Sequence, residues 1–133
     1  MARGRERHDA RVSAVQALGR ELNRRARSTC ELCGDRTSLS VREVPPAPEE
    51  PSPERALLVC NRCSTLVAGG DLRRIPTDEL RFLAETVWAE LPAVQVVSVR
   101  AARKLAEAGV AWAQEAADGL WLDEEIEAWV GAT

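Results

Sequence analysis

The sequence predicts an α+β fold, mostly α, in which a small four-cysteine lobe with a β-hairpin is flanked by an N-terminal helix and a C-terminal helical segment. Three observations predict it. Two C-x-x-C pairs, Cys30/Cys33 and Cys60/Cys63, face each other across the 26 residues from Gly34 to Val59. Short β-branched or apolar runs lie beside each pair, as strands would. Outside that interval, apolar residues recur at three- and four-residue spacing, as on helices. A chain of 133 residues suits one domain with a small core. The expected division is a basic arm and amphipathic helix over 1–28, the four-cysteine lobe over 29–75, and a helical segment over 76–133. The last packs on the lobe to make one compact unit.

Val12, Val15, Leu18, Leu22 and Ala26 share one helical face, so a helix is expected over roughly residues 9–27. Its other face carries Arg11, Arg20, Arg24 and Arg27, which read as a solvated surface. "LSVREV" alternates and reads as a strand, and "RALLVC" reads as its return. Between them "PPAPEEPSPE" holds five prolines in ten residues, which excludes regular structure and leaves an extended loop. "STLVAGGDLRRIP" reads as a turn-rich exit from the second pair. Thr77 is the expected cap of the next helix, whose stripe is Leu80, Leu83, Val87 and Leu91. Pro92 starts another, carrying Val94, Val97, Ala101 and Leu105 and ending at Gly109. "VAWAQEAADG" reads as a third helix, and Asp123 as the cap of "EEIEAWV". Trp88, Trp112, Trp121 and Trp129 are expected to pack in the core.

Charge is unevenly spread. Residues 1–29 hold eight arginines against Glu6, Asp9 and Glu21, a surplus of five positive charges. Residues 76–133 hold eleven acids against Arg81, Arg100, Arg103 and Lys104, a surplus of seven negative charges. The net charge of −3 therefore excludes nothing by itself, and the basic arm remains a candidate for phosphate contacts. Its candidates are Arg3, Arg5, Arg7, Arg11, Arg24, Arg25 and Arg27. No apolar run is long enough for a signal peptide or a membrane span, so a cytoplasmic location and no membrane partner are expected.

In a reducing compartment four cysteines serve better as metal ligands than as disulfides. Each C-x-x-C spacing lets one tight turn aim two sulfurs at one ion, and Gly34 suits the backbone reversal after Cys33. Zinc on Cys30, Cys33, Cys60 and Cys63 is the expected occupant, because four soft anionic ligands suit its tetrahedral preference. A redox pair would need a βαβ context that is absent from this pattern. Four thiolates also close the coordination sphere, which makes such a zinc structural.

"CELCG", "LSV" and "LLVCNRC" resemble the treble-clef scaffold of HNH endonucleases. At the places where that resemblance implies catalytic histidines, this chain has Arg42, Glu43 and Ser64. Its single histidine, His8, lies on the arginine-rich arm and reads as a surface residue. "RSTCELCG", "LSVREVPP", "LLVCNRC", "VWAELPAVQVVSVR" and "LWLDEEIEAWV" together resemble the N-terminal zinc-ribbon region of PhnA-like proteins, over about Arg27 to Val130. That family is named after alkylphosphonate utilisation, and its longer members continue into an SH3-like β domain that this sequence does not contain. The resemblance implies a zinc-binding module of binding or scaffold type and no evident catalytic site. The alternative is a nucleic-acid-binding zinc module using the basic arm. A protein partner would dock on the Trp-rich C-terminal helices, and an HNH-like nuclease fails on the missing histidines.

Overall fold

The computed structural model describes residues 2–132, with side chains from Gly4 onward. The fold is α+β and mostly α, with one antiparallel hairpin. Two helices lead in, α1 (Ala2–Ala17) and α2 (Gly19–Ala26). The expected single helix is thus broken at Leu18 and starts earlier than its apolar face. The physical reason is packing. Val12 on α1 is 40% exposed, whereas Leu22 on α2 is fully buried, so the second half of the stripe is the better covered.

What covers it is the hairpin of β1 (Ser40–Glu43) and β2 (Ala56–Val59), in register Ser40↔Val59 to Glu43↔Ala56. Strand side chains alternate between faces, and here both faces of β2 are covered. Ala56 and Leu58 meet Leu22, Leu18 and Ala26 of the N-terminal part, while Leu57 and Val59 enter the main core. Proline-rich chain joins the strands as a loop, as its composition predicts, except for a short 3-10 turn at Pro53–Arg55, where Ser52 accepts from the Glu54 amide. Arg11 pins α1 across this loop. Its guanidinium donates to Glu43 Oε1 at 2.6 Å and to the carbonyls of Pro48 and Glu49 at 2.7 and 2.9 Å.

After β2 the chain turns directly into α3 (Asn61–Ala68), where a turn-rich exit was expected. Leu66 and Val67 bury one face of α3, and Gly69 ends it at φ 73°, a left-handed geometry natural to glycine. The next expected helix is instead a 3-10 turn, Thr77–Leu80, followed by the single turn α4 (Leu83–Thr86). Thr77 makes no capping hydrogen bond. The stripe is nonetheless right, since Leu80, Leu83 and Val87 are fully buried.

α5 (Pro92–Glu107) is the central element. β-branched residues have modest helical propensity, but "PAVQVVSV" is buried on nearly every side, and tertiary packing outweighs propensity. It touches α3, α4, β2, α6 (Ala111–Asp118) and α7 (Glu124–Gly131). Ser98, buried at its centre, donates to Thr86 Oγ1 at 2.7 Å. Asp123 caps α7 as expected, accepting from the Ile126 amide at 3.0 Å. The main core runs without a break from Cys30 to Val130. Among the described residues, no helix is long and apolar enough to cross a membrane.

Two of the four tryptophans depart from the core reading. Trp88 is 53% exposed and Trp121 is 79% exposed, while Trp112 and Trp129 pack against the core. Trp88 lies just past the end of α4 and Trp121 in the link between α6 and α7, outside the buried faces of the helices.

Candidate metal centre

The first cysteine pair follows α2. Arg27 and Ser28 adopt left-handed conformations (φ 55° and 60°) that turn the chain out of the helix toward Cys30. The turn then closes tightly. The Gly34 amide donates to the Cys30 carbonyl at 2.9 Å, and the Cys33 amide points at Cys30 Sγ, 3.5 Å away. Gly34 has φ 83°, so the glycine that the sequence offered is required by the backbone. Glu31, inside the pair, binds the hairpin. Its amide donates to the Leu58 carbonyl at 2.8 Å and its carboxylate accepts from the Leu58 amide at 2.9 Å.

The second pair is set by a helix start. Cys60 is the extended N-cap of α3, and Cys63 lies in its first turn. There the unpaired amides and the helix dipole favour anionic sulfur. β2 delivers Cys60 to that point, so hairpin and helix together bring the second pair against the first.

All four sulfurs lie within 4.8 Å of one another, and Cys33 Sγ is 3.6 Å from Cys60 Sγ. A tetrahedral ion with metal–sulfur bonds of about 2.3 Å needs sulfurs about 3.8 Å apart, so the cluster fits one such ion. Cys30, Cys60 and Cys63 are buried and Cys33 is partly open. Sulfurs this close do not ionise alike. The Cys30 thiol is lowered to about 4, first by its hydrogen bond with Cys63 and then by nearby amides. Cys63 is pushed up by that same bond and by burial, and Cys60 is pushed up first by burial. A metal ion binds such thiols as thiolates and so releases protons on binding.

The arginines proposed for nucleic acid divide. Arg5, Arg7, Arg24 and Arg27 are exposed, while the side chain of Arg3 lies outside the described residues. Arg11 and Arg25 turn inward. Arg25 donates to both carboxylate oxygens of Glu31 at 2.8 Å and to the carbonyls of Pro53 and Ala56 at 2.8 and 3.0 Å. Their place in the sequence made them part of a basic arm, but their donors are already engaged. Glu43 is held by Arg11, and Arg42 Nε donates to Ser64 Oγ at 2.8 Å. His8 is exposed at the rim of a cleft between α1 and β1. Sequence reasoning missed Arg62, which sits between the second pair of cysteines. Its position alone was a usable signal, because a residue inside C-x-x-C cannot lie far from the sulfurs.

Fold and site together define a mostly helical α+β protein whose four-cysteine cluster can hold a metal ion. Set against family models, curated proteins and solved structures, the chain matches none.

Proposed function

We propose that the chain is a small zinc-binding protein of binding or scaffold type, with a structural zinc on Cys30, Cys33, Cys60 and Cys63. The observation that carries this is the convergence of four sulfurs within 4.8 Å, from two segments far apart in sequence. Four thiolates fill a tetrahedral sphere and leave no position for water, so the metal's task is to join the first turn, the hairpin and α3. Kinship with the zinc-ribbon region of PhnA-like proteins is part of this proposal, as is a cytoplasmic location. Exposed Trp88 and Trp121 favour a protein partner on the C-terminal helices.

Cys60→Ser is expected to lose stoichiometric zinc and most of the cooperative fold, read by metal analysis and circular dichroism. A fully folded, cooperatively melting apo-protein would sink the reading. A second reading, a nucleic-acid module, is favoured by exposed Arg5, Arg7, Arg24 and Arg27, none of which joins an ion pair among the described residues. Fluorescence anisotropy with short DNA and RNA across a salt series separates the two. Binding that weakens log-linearly with salt and needs those arginines selects the second; no binding at low salt leaves the scaffold.

A further inference from the structure

The two outer edges of the hairpin are used unequally. The Val44 amide donates to the Arg55 carbonyl at 2.8 Å, and antiparallel strands exchange hydrogen bonds at every second pair. Ser40 and Arg42 therefore spend their backbone groups on β2, while Val41 and Glu43 turn theirs outward. The same alternation sends the backbone groups of Ala56 and Leu58 outward from β2, where they are met. Glu31 bonds both the amide and the carbonyl of Leu58, and Arg25 donates to the Ala56 carbonyl. On β1 the outward amides and carbonyls of Val41 and Glu43 have no partner among the described residues.

That open edge borders a cleft of about 510 Å³ whose other wall is α1. Val12 and Val15 line this wall, the first exposed and the second half-buried. They lie on the side of the sheet that carries Val41, which packs with Leu18 just beyond the end of α1. A strand added to β1 would alternate its side chains, one set toward the two valines and the other toward Arg42. Arg42 is exposed and joins no ion pair among the described residues, whereas Glu43, the acid of the cleft, is held by Arg11. The charge left over is positive.

We propose that β1 is a docking edge for an extended segment of a partner protein, which adds as a third strand through Val41 and Glu43. It carries apolar residues toward α1 and an acidic residue toward Arg42. A second copy of this chain suits the edge less well. The antiparallel β1–β1 register that pairs all four groups sets Arg42 directly opposite Arg42, and like charges so placed repel. The proposal goes beyond the scaffold reading, since no cysteine and no tryptophan borders the cleft.

The test is fluorescence anisotropy of the full chain with a short labelled peptide in which valine and glutamate alternate. Two control peptides carry N-methyl groups, one on the valine amides and the other on the glutamate amides. Only one set of amides can face β1, so one control is expected to bind about tenfold or more weakly while the other binds like the parent peptide. Loss on valine methylation marks an antiparallel added strand, and loss on glutamate methylation a parallel one. Val12→Glu and Arg42→Glu, both at exposed positions, are each expected to weaken the parent peptide about tenfold. No binding of the peptide overturns the proposal, as do two controls that bind alike, whether well or poorly. A cleft that takes short DNA but no peptide overturns it too, and so does a dimer in solution whose Val41 and Glu43 amides are already protected from exchange.

Discussion

Glu31 lies between two proposed metal ligands, yet its work is to fasten the turn that carries them. Its side chain is only 5% exposed and is met by both forks of Arg25 and by the Leu58 amide. Removing the carboxylate strands the Arg25 charge and the Leu58 donor together. Arg25 keeps two carbonyl partners and is 27% exposed, which softens the loss. Glu31→Ala is therefore expected to lower the unfolding free energy of the metal-loaded protein by about 2–3 kcal/mol, read by urea denaturation. A change below about 0.5 kcal/mol, the scale of an ordinary surface substitution, would show the pair to be idle. At this scale the sequence was legible where chemistry is carried by spacing. Two C-x-x-C pairs state their own geometry, and the left-handed glycine after Cys33 follows from it. Arg25 was not legible, because its partner lies beyond the end of a helix and its charge resembles that of its exposed neighbours Arg24 and Arg27.

Elements were legible in proportion to how strongly their apolar pattern is used. α5 was read from its period and is the best buried helix; α7 was read from its cap, and the cap is present. α3 was missed because "STLVAGG" is short, polar at its start and rich in turn residues, while its N-terminus is fixed by Cys60 rather than by a capping side chain. The helix expected from Thr77 failed differently. Its apolar residues are buried, but a 3-10 turn and the one-turn α4 suffice to bury them. Arg100 shows how the end of α7 is held. From α5 its guanidinium donates to the carbonyls of Val130 at 3.1 Å, Ala132 at 2.7 Å and Pro45 at 2.7 Å, and also to that of Trp129. These are carbonyls at a helix end and in the loop before the hairpin's return, and they have no other donor as close to them as this one side chain. Arg100→Met, which retains the stem, is expected to cost about 2–3 kcal/mol, chiefly through the Val130 and Ala132 carbonyls, since those of Pro45 and Trp129 keep the Trp129 indole and the Ala132 amide as donors. Amide exchange should accelerate first in α7, and uniform exchange across all helices would refute a local role.

On the scale of the whole molecule, the question is whether the lobe and the helices are one cooperative unit. The sequence suggested it, since a lobe of this kind buries too little apolar surface to stand alone. The structure supplies a physical route. Leu57 and Val59 of β2 and Leu66 and Val67 of α3 share a core with Val94, Val97 and Leu105 of α5 and with Val130 of α7. Trp129 adds a second tie, donating from Nε1 to the Pro45 carbonyl at 3.2 Å while Arg55 stacks 4.1 Å from its ring centre. Removing the metal would loosen the turn at Cys30 and the start of α3, and that disturbance reaches helices with no cysteine of their own. Structural zinc contributes on the order of 10 kcal/mol in small domains, comparable to the roughly 5–15 kcal/mol that holds a whole domain folded. Chelation at neutral pH is therefore expected to abolish most of the helical circular dichroism in one transition, with hairpin and helix signals lost together and regained on zinc addition. The emission of Trp112 and Trp129, both packed on the core, should shift to the red in the same step, while the exposed Trp88 and Trp121 change little. If far-ultraviolet dichroism survives chelation while the hairpin melts, α5, α6 and α7 stand on their own packing and the metal stabilises the lobe alone.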